Sequence, residues 1–204
     1  MVSPNQIVGN NLGQLWLTPT PSYCQEWHIE GKYVASLNQD LFLGVPFAQP
    51  PLGGLRFQNP QSVNDVFEDV RDAKEYANSC LGHGNCLTLS IVRPSGRQDG
   101  ANLPARVFIH GGVYLTDYSG NAVNNLSFIA KESARMDKPI MAVSLDYRLS
   151  AWSFLASQEA VDAGIANTGL EDQRIGLQWI NESIAAIGGD LDKATNFDER
   201  SRGR

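Results

Sequence analysis

The sequence predicts an α/β protein built on a parallel sheet with helices on both faces. Residues 105–109 and 139–145 are near-continuous apolar runs, the pattern of strands covered on both sides rather than one. A helical stretch at 127–136 lies between them, so the three segments form one strand-helix-strand crossover. A longer helical pattern starts at Thr168, and a short β-prone stretch at 193–197 follows it.

Each segment has a local reason, taken in chain order. Residues 1–25 are polar, rich in Pro, Asn and Gly and without a clear period, so they read as a loose arm, with order beginning near Trp27. Residues 32–35 and 40–45 are short apolar runs that pair as a hairpin. Pro46, Pro50, Pro51, Gly53 and Gly54 then fix a rigid loop. Residues 87–92 alternate apolar and polar before Pro94, which predicts a half-exposed strand. In the long helix, Glu171 stands three residues after Thr168 as a capping-box partner. Leu170, Leu177, Ile180, Ile184 and Ile187 mark its apolar face, and Gly188-Gly189 stops it.

Composition narrows the function classes. By length alone, 204 residues suggest one domain. The net charge is −6 with no Lys/Arg run, which argues against nucleic acid as a partner. Hydrophobic content of 42% with 19% charged residues excludes disorder over the whole length. No apolar run reaches the roughly 18 residues of a membrane span. The N-terminus has no positive segment before an apolar core, a pattern from which no export signal is expected, and the compartment stays open. Cys80 and Cys86 enclose Leu-Gly-His-Gly-Asn, a short glycine-containing loop that a disulfide can close, while Cys24 reads as a buried small hydrophobe. Asn125-Leu126-Ser127 and Asn181-Glu182-Ser183 fit the glycosylation sequon.

An open parallel sheet places its functional site beyond the carboxyl ends of its strands. The segments to inspect therefore follow Ile109, Leu145 and Phe197. The first is His110-Gly111-Gly112-Val113-Tyr114. Paired glycines at a strand end let the backbone turn sharply and aim N–H groups into a cleft, as in an oxyanion hole for acyl transfer, although they equally suit an ordinary turn.

Neighbouring motifs bear on that choice. Phe42-Leu43-Gly44-Val45-Pro46-Phe47-Ala48-Gln49-Pro50-Pro51, with Leu55-Arg56-Phe57, closely resembles the N-terminal signature of type-B carboxylesterases, the family of fungal lipases and cholinesterases. Cys86-Leu87-Thr88-Leu89 resembles that family's Cys-Leu-x-Leu strand, and Asp146-Tyr147-Arg148 its Asn-Tyr-Arg block. Gly169-Leu170-Glu171-Asp172-Gln173 through Trp179 resembles its Gly-Leu-x-Asp-Gln helix, followed at the family's spacing by Gly188-Gly189-Asp190. The motifs run in the family's order across residues 28–200.

The resemblance implies the N-terminal portion of an α/β-hydrolase sheet, with residues 26–204 an incomplete part of that domain, truncated at the nucleophile elbow. It implies hydrolysis of carboxylic esters by a Ser-His-Asp/Glu triad, with an ester as substrate and neither cofactor nor metal. It also implies that the N–H groups of Gly112 and Val113 form the oxyanion hole, in the loop that His110 and Gly111 begin. The family is commonly secreted.

The chain departs from the family at the elbow. The pattern Gly-Glu-Ser-Ala-Gly becomes Asp198-Glu199-Arg200-Ser201-Arg202, so Arg200 occupies the nucleophile's position and Ser201, one residue on, points elsewhere along the chain. His28, His83 and His110 all precede the elbow, whereas the triad's acid and histidine follow it. Val113 replaces a glycine, and its β-branch restricts the backbone and narrows the cleft. The expectation is an esterase-family chain with no activity of its own. The alternative is a non-catalytic binding protein derived from the same fold, against which stands the strand before the elbow, left as an unpaired apolar sheet edge.

Overall fold

The computed structural model describes residues 14–17, 27–63, 71–81, 84–96, 101–155 and 157–198. Its first strands are β1 (Gln14–Leu17), β2 (Trp27–Glu30), β3 (Lys32–Val34), β4 (Gln39–Pro46), β5 (Arg71–Asp72), β6 (Thr88–Pro94) and β7 (Leu103–Ile109). Helix α1 (Ser127–Arg135), β8 (Met141–Leu145), the short helices α2 (Ala151–Phe154) and α3 (Gln158–Asp162), α4 (Thr168–Ser183) and β9 (Gly189–Asp198) complete them. Four residues of the polar arm are thus a strand; β1 pairs antiparallel with β2 in a small sheet that also holds β5. Cys24, His83, Arg200, Ser201 and Arg202 lie outside the described residues.

The main sheet runs β3-β4-β6-β8-β7-β9. The predicted hairpin is β3–β4, and the crossover predicted around α1 joins β7 to β8, which pair in parallel from Ala105↔Met141 to Ile109↔Leu145. Side-chain alternation along these strands divides the apolar runs between two cores. Val107, Ile109, Met141, Val143 and Leu145 enter the larger core with Trp179 and Ile180 of α4. Phe108 and Ala142 enter the smaller one with Ala130 of α1. A near-continuous apolar run is therefore two interleaved faces, each with its own helix.

Three expectations need correction. β6 is buried along its whole length rather than half-exposed. It sits between β4 and β8, and its polar residues find partners inside: Ser90 Oγ accepts from the Gly44 N–H at 3.2 Å, and Arg93 lies 3.4 Å from Asp40 and donates to the Ile187 carbonyl at 2.9 Å. The capping box is not formed. Asn167 precedes α4 with a left-handed φ of 60° and makes no side-chain cap, Thr168 is buried within the helix, and Glu171 bonds Arg174 at 2.7 Å on the surface. The buried face of α4 is accordingly Thr168, Gly169, Asp172, Gly176, Trp179 and Ile180, and Leu170 faces out. Gly176 allows this seating, because a Cβ there would collide with Leu145. Finally, β9 is the sheet's edge, as expected, but Asp192, Lys193, Thr195 and Asn196 on it are exposed and polar. Phe197 on it packs against Phe108, with ring centres 5.3 Å apart.

One buried ion pair joins three parts of the fold. Arg148, just beyond β8, meets Asp172 of α4 with Nη2–Oδ1 at 2.7 Å and Nε–Oδ2 at 2.8 Å. Its Nη1 donates to the carbonyls of Arg56 and Gln58 in the Pro-Gly loop at 3.0 and 2.9 Å. Removing one partner of such a pair strands a buried charge, which costs about 3–5 kcal/mol. Asp172→Ala should therefore lower stability by that amount in urea denaturation, and the double variant Arg148→Met/Asp172→Leu should recover a large part of the loss. A double variant no more stable than Asp172→Ala would refute this account.

Candidate active site

The pairing of Ile109 with Leu145 brings two strand ends side by side, so the residues that follow them, His110 and Asp146, meet. Both are buried. The His110 ring stacks on Tyr147 with centres 4.6 Å apart and planes within 14°. Tyr147 donates its hydroxyl to the His110 carbonyl at 3.0 Å, which fixes the root of the loop that begins there. Further along, the Ser119 N–H donates to Asp146 Oδ1 at 2.7 Å, and the same oxygen lies 3.8 Å from His110 Nε2. The Asp146 N–H donates to the Thr88 carbonyl at 2.9 Å, which ties the carboxylate's own backbone to β6.

Between these anchors the backbone is forced into unusual shapes. Gly112 has φ 91°, Val113 58°, Tyr114 60° and Asp117 94°. Only glycine fits at 112, since a Cβ would strike the Thr116 carbonyl. That glycine's own carbonyl accepts from the N–H groups of Leu115 at 2.9 Å and Thr116 at 3.2 Å. The Ser150 N–H holds the Tyr114 carbonyl at 2.6 Å. Among the described residues, the N–H groups of Gly112 and Val113 have no hydrogen-bond acceptor. Two successive donors in such a turn can together bind one anionic oxygen. The Val113 side chain is 44% exposed.

The disulfide of Cys80 and Cys86 is formed, with the Cα atoms 5.2 Å apart. It lies beside the loop, for Ser79 donates its hydroxyl to the Asp117 carbonyl at 3.3 Å. Of the other sequence candidates, His28 is on β2 in the small sheet. The structure adds Asp146, which the sequence reading passed over within its motif. The available signal was a carboxylate immediately after a buried strand, at a position where the resembling family has an amide. Complete burial pushes its pKa up to about 7, although hydrogen bonds from Ser119 and Thr88 oppose the rise.

The family model for the carboxylesterase family matches residues 25–201. This chain belongs to the carboxylesterase family. It is similar to Lipase 4 of Diutina rugosa, 36% identical over a match covering 83% of this chain and 36% of that protein. It is also similar to the cholinesterase of Mus musculus, 36% identical over 78% of this chain and 28% of that protein. Among solved structures, Aspergillus niger EstA superposes with a TM-score of 0.76 at 30% identity, covering 91% of this chain and 36% of the other. The family chain thus carries part of an α/β-hydrolase fold and spans about a third of the length of these relatives. No helix among its described residues is long and apolar enough to cross a membrane.

Two outcomes test the site as described. A left-handed φ costs a residue with a β-carbon about 1–2 kcal/mol, part of which glycine's greater chain entropy offsets. Val113→Gly should therefore raise stability by about 0.5–1 kcal/mol, measured by thermal melting; an unchanged or lower melting temperature would show that Val113 is not strained. Because the pKa of Asp146 is higher folded than unfolded, the folded state holds the proton more tightly. Its stabilising contribution is full below about pH 4 and lost as the pH rises to about 7. Denaturation across this range should show stability falling with pH, and Asp146→Asn should flatten that component. An unaltered slope in the variant would place its origin elsewhere.

Proposed function

We propose that this chain carries the oxyanion-binding portion of a carboxylic ester hydrolase, with the N–H groups of Gly112 and Val113 as donors. The observation that carries the reading is that these two groups have no acceptor among the described residues and lie on a loop anchored at His110 and Ser119. In an acyl-transfer reaction such donors stabilise the negative charge that develops on the carbonyl oxygen, and loss of one costs about 100- to 1000-fold in rate. Family membership supports ester hydrolysis as the reaction class, and a carboxylic ester as the substrate class.

The position of the family's elbow nucleophile differs in this sequence. Arg200 stands at the elbow position and Ser201 beside it. His110 is enclosed by Tyr147 and the loop's own root, which suits a positioning role and not proton exchange with a substrate. An arginine in place of the serine nucleophile supports oxyanion binding without ester turnover by these 204 residues.

The test has two readouts. Purified chain should hydrolyse p-nitrophenyl butyrate no faster than buffer, and Ser201→Ala should behave identically; turnover that Ser201→Ala abolishes would overturn the inactivity. A short-chain alkyl phosphonate, whose tetrahedral anion resembles the acyl-transfer intermediate, should shift the amide NMR resonances of Gly112 and Val113 above all others. Saturable binding that leaves those two unmoved would remove them from the donor role.

A further inference from the structure

We propose that Asp146 is the positioning residue of the Gly112–Val113 loop, and that its ionisation changes the loop's geometry through its contacts with Ser119 and His110. The significance for catalysis rests on the oxyanion reading above; the device itself is a property of the fold. One carboxylate touches both limbs of the loop: its Oδ1 accepts the Ser119 N–H at 2.7 Å and lies 3.8 Å from Nε2 of His110, which opens the loop. Gly112 and Val113 lie between those limbs. The carboxylate cannot follow the loop if the loop moves, because its backbone leaves β8 and donates to Thr88 of β6.

The surroundings make this carboxyl responsive. From the loop after β7 it faces His110 and Asp117; from the segment after β5 it faces Tyr76; from β6 and the loop come the hydroxyl-bearing Thr88 and Ser119. The cation two residues along the chain, Arg148, is committed to Asp172 and to the Arg56 and Gln58 carbonyls. Asp117 adds a repelling charge: burial raises its pKa, but hydrogen bonds from Asn124, the Tyr118 N–H and Asn121 outweigh that and hold its carboxyl below the usual range. Protonated Asp146 is a neutral neighbour of His110 and a weak acceptor for Ser119. Once ionised, it draws more strongly on the Ser119 N–H and attracts the edge of the His110 ring. Both contacts tighten together, and both end on the segment that holds Gly112 and Val113.

The experiment follows amide resonances of the 204-residue chain by NMR between about pH 5 and 9. Expected is one shared titration of Gly112, Val113 and Ser119 with a midpoint near the value of about 7 reached by Asp146. Asp146→Asn keeps an oxygen to accept the Ser119 N–H, so it should retain the fold by circular dichroism and abolish the titration. Asp117→Asn should retain the titration and lower its midpoint, since a repelling charge has gone. Flat resonances in the parent chain, or a titration that survives Asp146→Asn, would overturn the proposal. Should Asp146→Asn not fold, the carbon chemical shift of the Asp146 carboxyl in the parent chain reads its ionisation directly, and a carboxyl ionised throughout the range overturns it. The titration needs no ligand, so it succeeds or fails independently of the phosphonate experiment.

Discussion

The parallel register between β7 and β8 is the constraint on which the rest of the molecule depends. Evenly spaced hydrogen bonds hold Ile109 opposite Leu145, and adjacent strands lie roughly 4.8 Å apart. Whatever follows those two residues must therefore emerge together at one edge of the sheet. His110 and Asp146 do so, and the Tyr147 ring packs on His110 because it is the next residue out. A slip of one residue would send Leu145 to the face of α1 and Asp146 toward α4, and the loop would lose both its anchors.

Three buried carboxylates show different solutions to the cost of removing charge from water. Asp40 lies beside Arg93, and Asp172 has a two-pronged bond to Arg148 together with that residue's backbone N–H. Asp146 has neither arginine nor lysine; among the described residues its ion-pair contact is the 3.8 Å approach of His110. Burial then dominates its proton equilibrium and pushes the Asp146 carboxyl up to about 7. Nearness along the chain decides little, since the guanidinium of Arg148 turns to α4 and the Pro-Gly loop.

The loop itself is a strained segment held from several sides. Gly112, Val113 and Tyr114 are consecutive left-handed residues, a conformation that persists only where the surroundings over-determine it. Here they do: the Gly112 carbonyl is capped within the turn, the Tyr114 carbonyl is held by Ser150, and the Tyr114 ring packs 4.8 Å from Phe154. The result is a backbone with two donors that find no acceptor among the described residues. That arrangement is what membership of a hydrolase family makes intelligible.

Much of the fold and part of the site were legible in the sequence. The covered strands, the crossover through α1, the glycine loop and the family follow from apolar runs, turn residues and contiguous motifs, all of which are local properties of the chain. The tertiary structure alone decided what lies against each residue. Thr88 and Ser90 read as the polar side of a half-exposed strand, yet are buried because β6 lies between two others. Leu170 belongs to the apolar period of α4, yet faces out, because Gly176 and Gly169 give the helix its close approach and so select the buried face. Asp146 looked like one letter of a motif. Its setting comes from Ser119 and His110 at distant points in the sequence and from complete burial, and no local pattern records which side chains a closed sheet will bring together or how much water it will exclude.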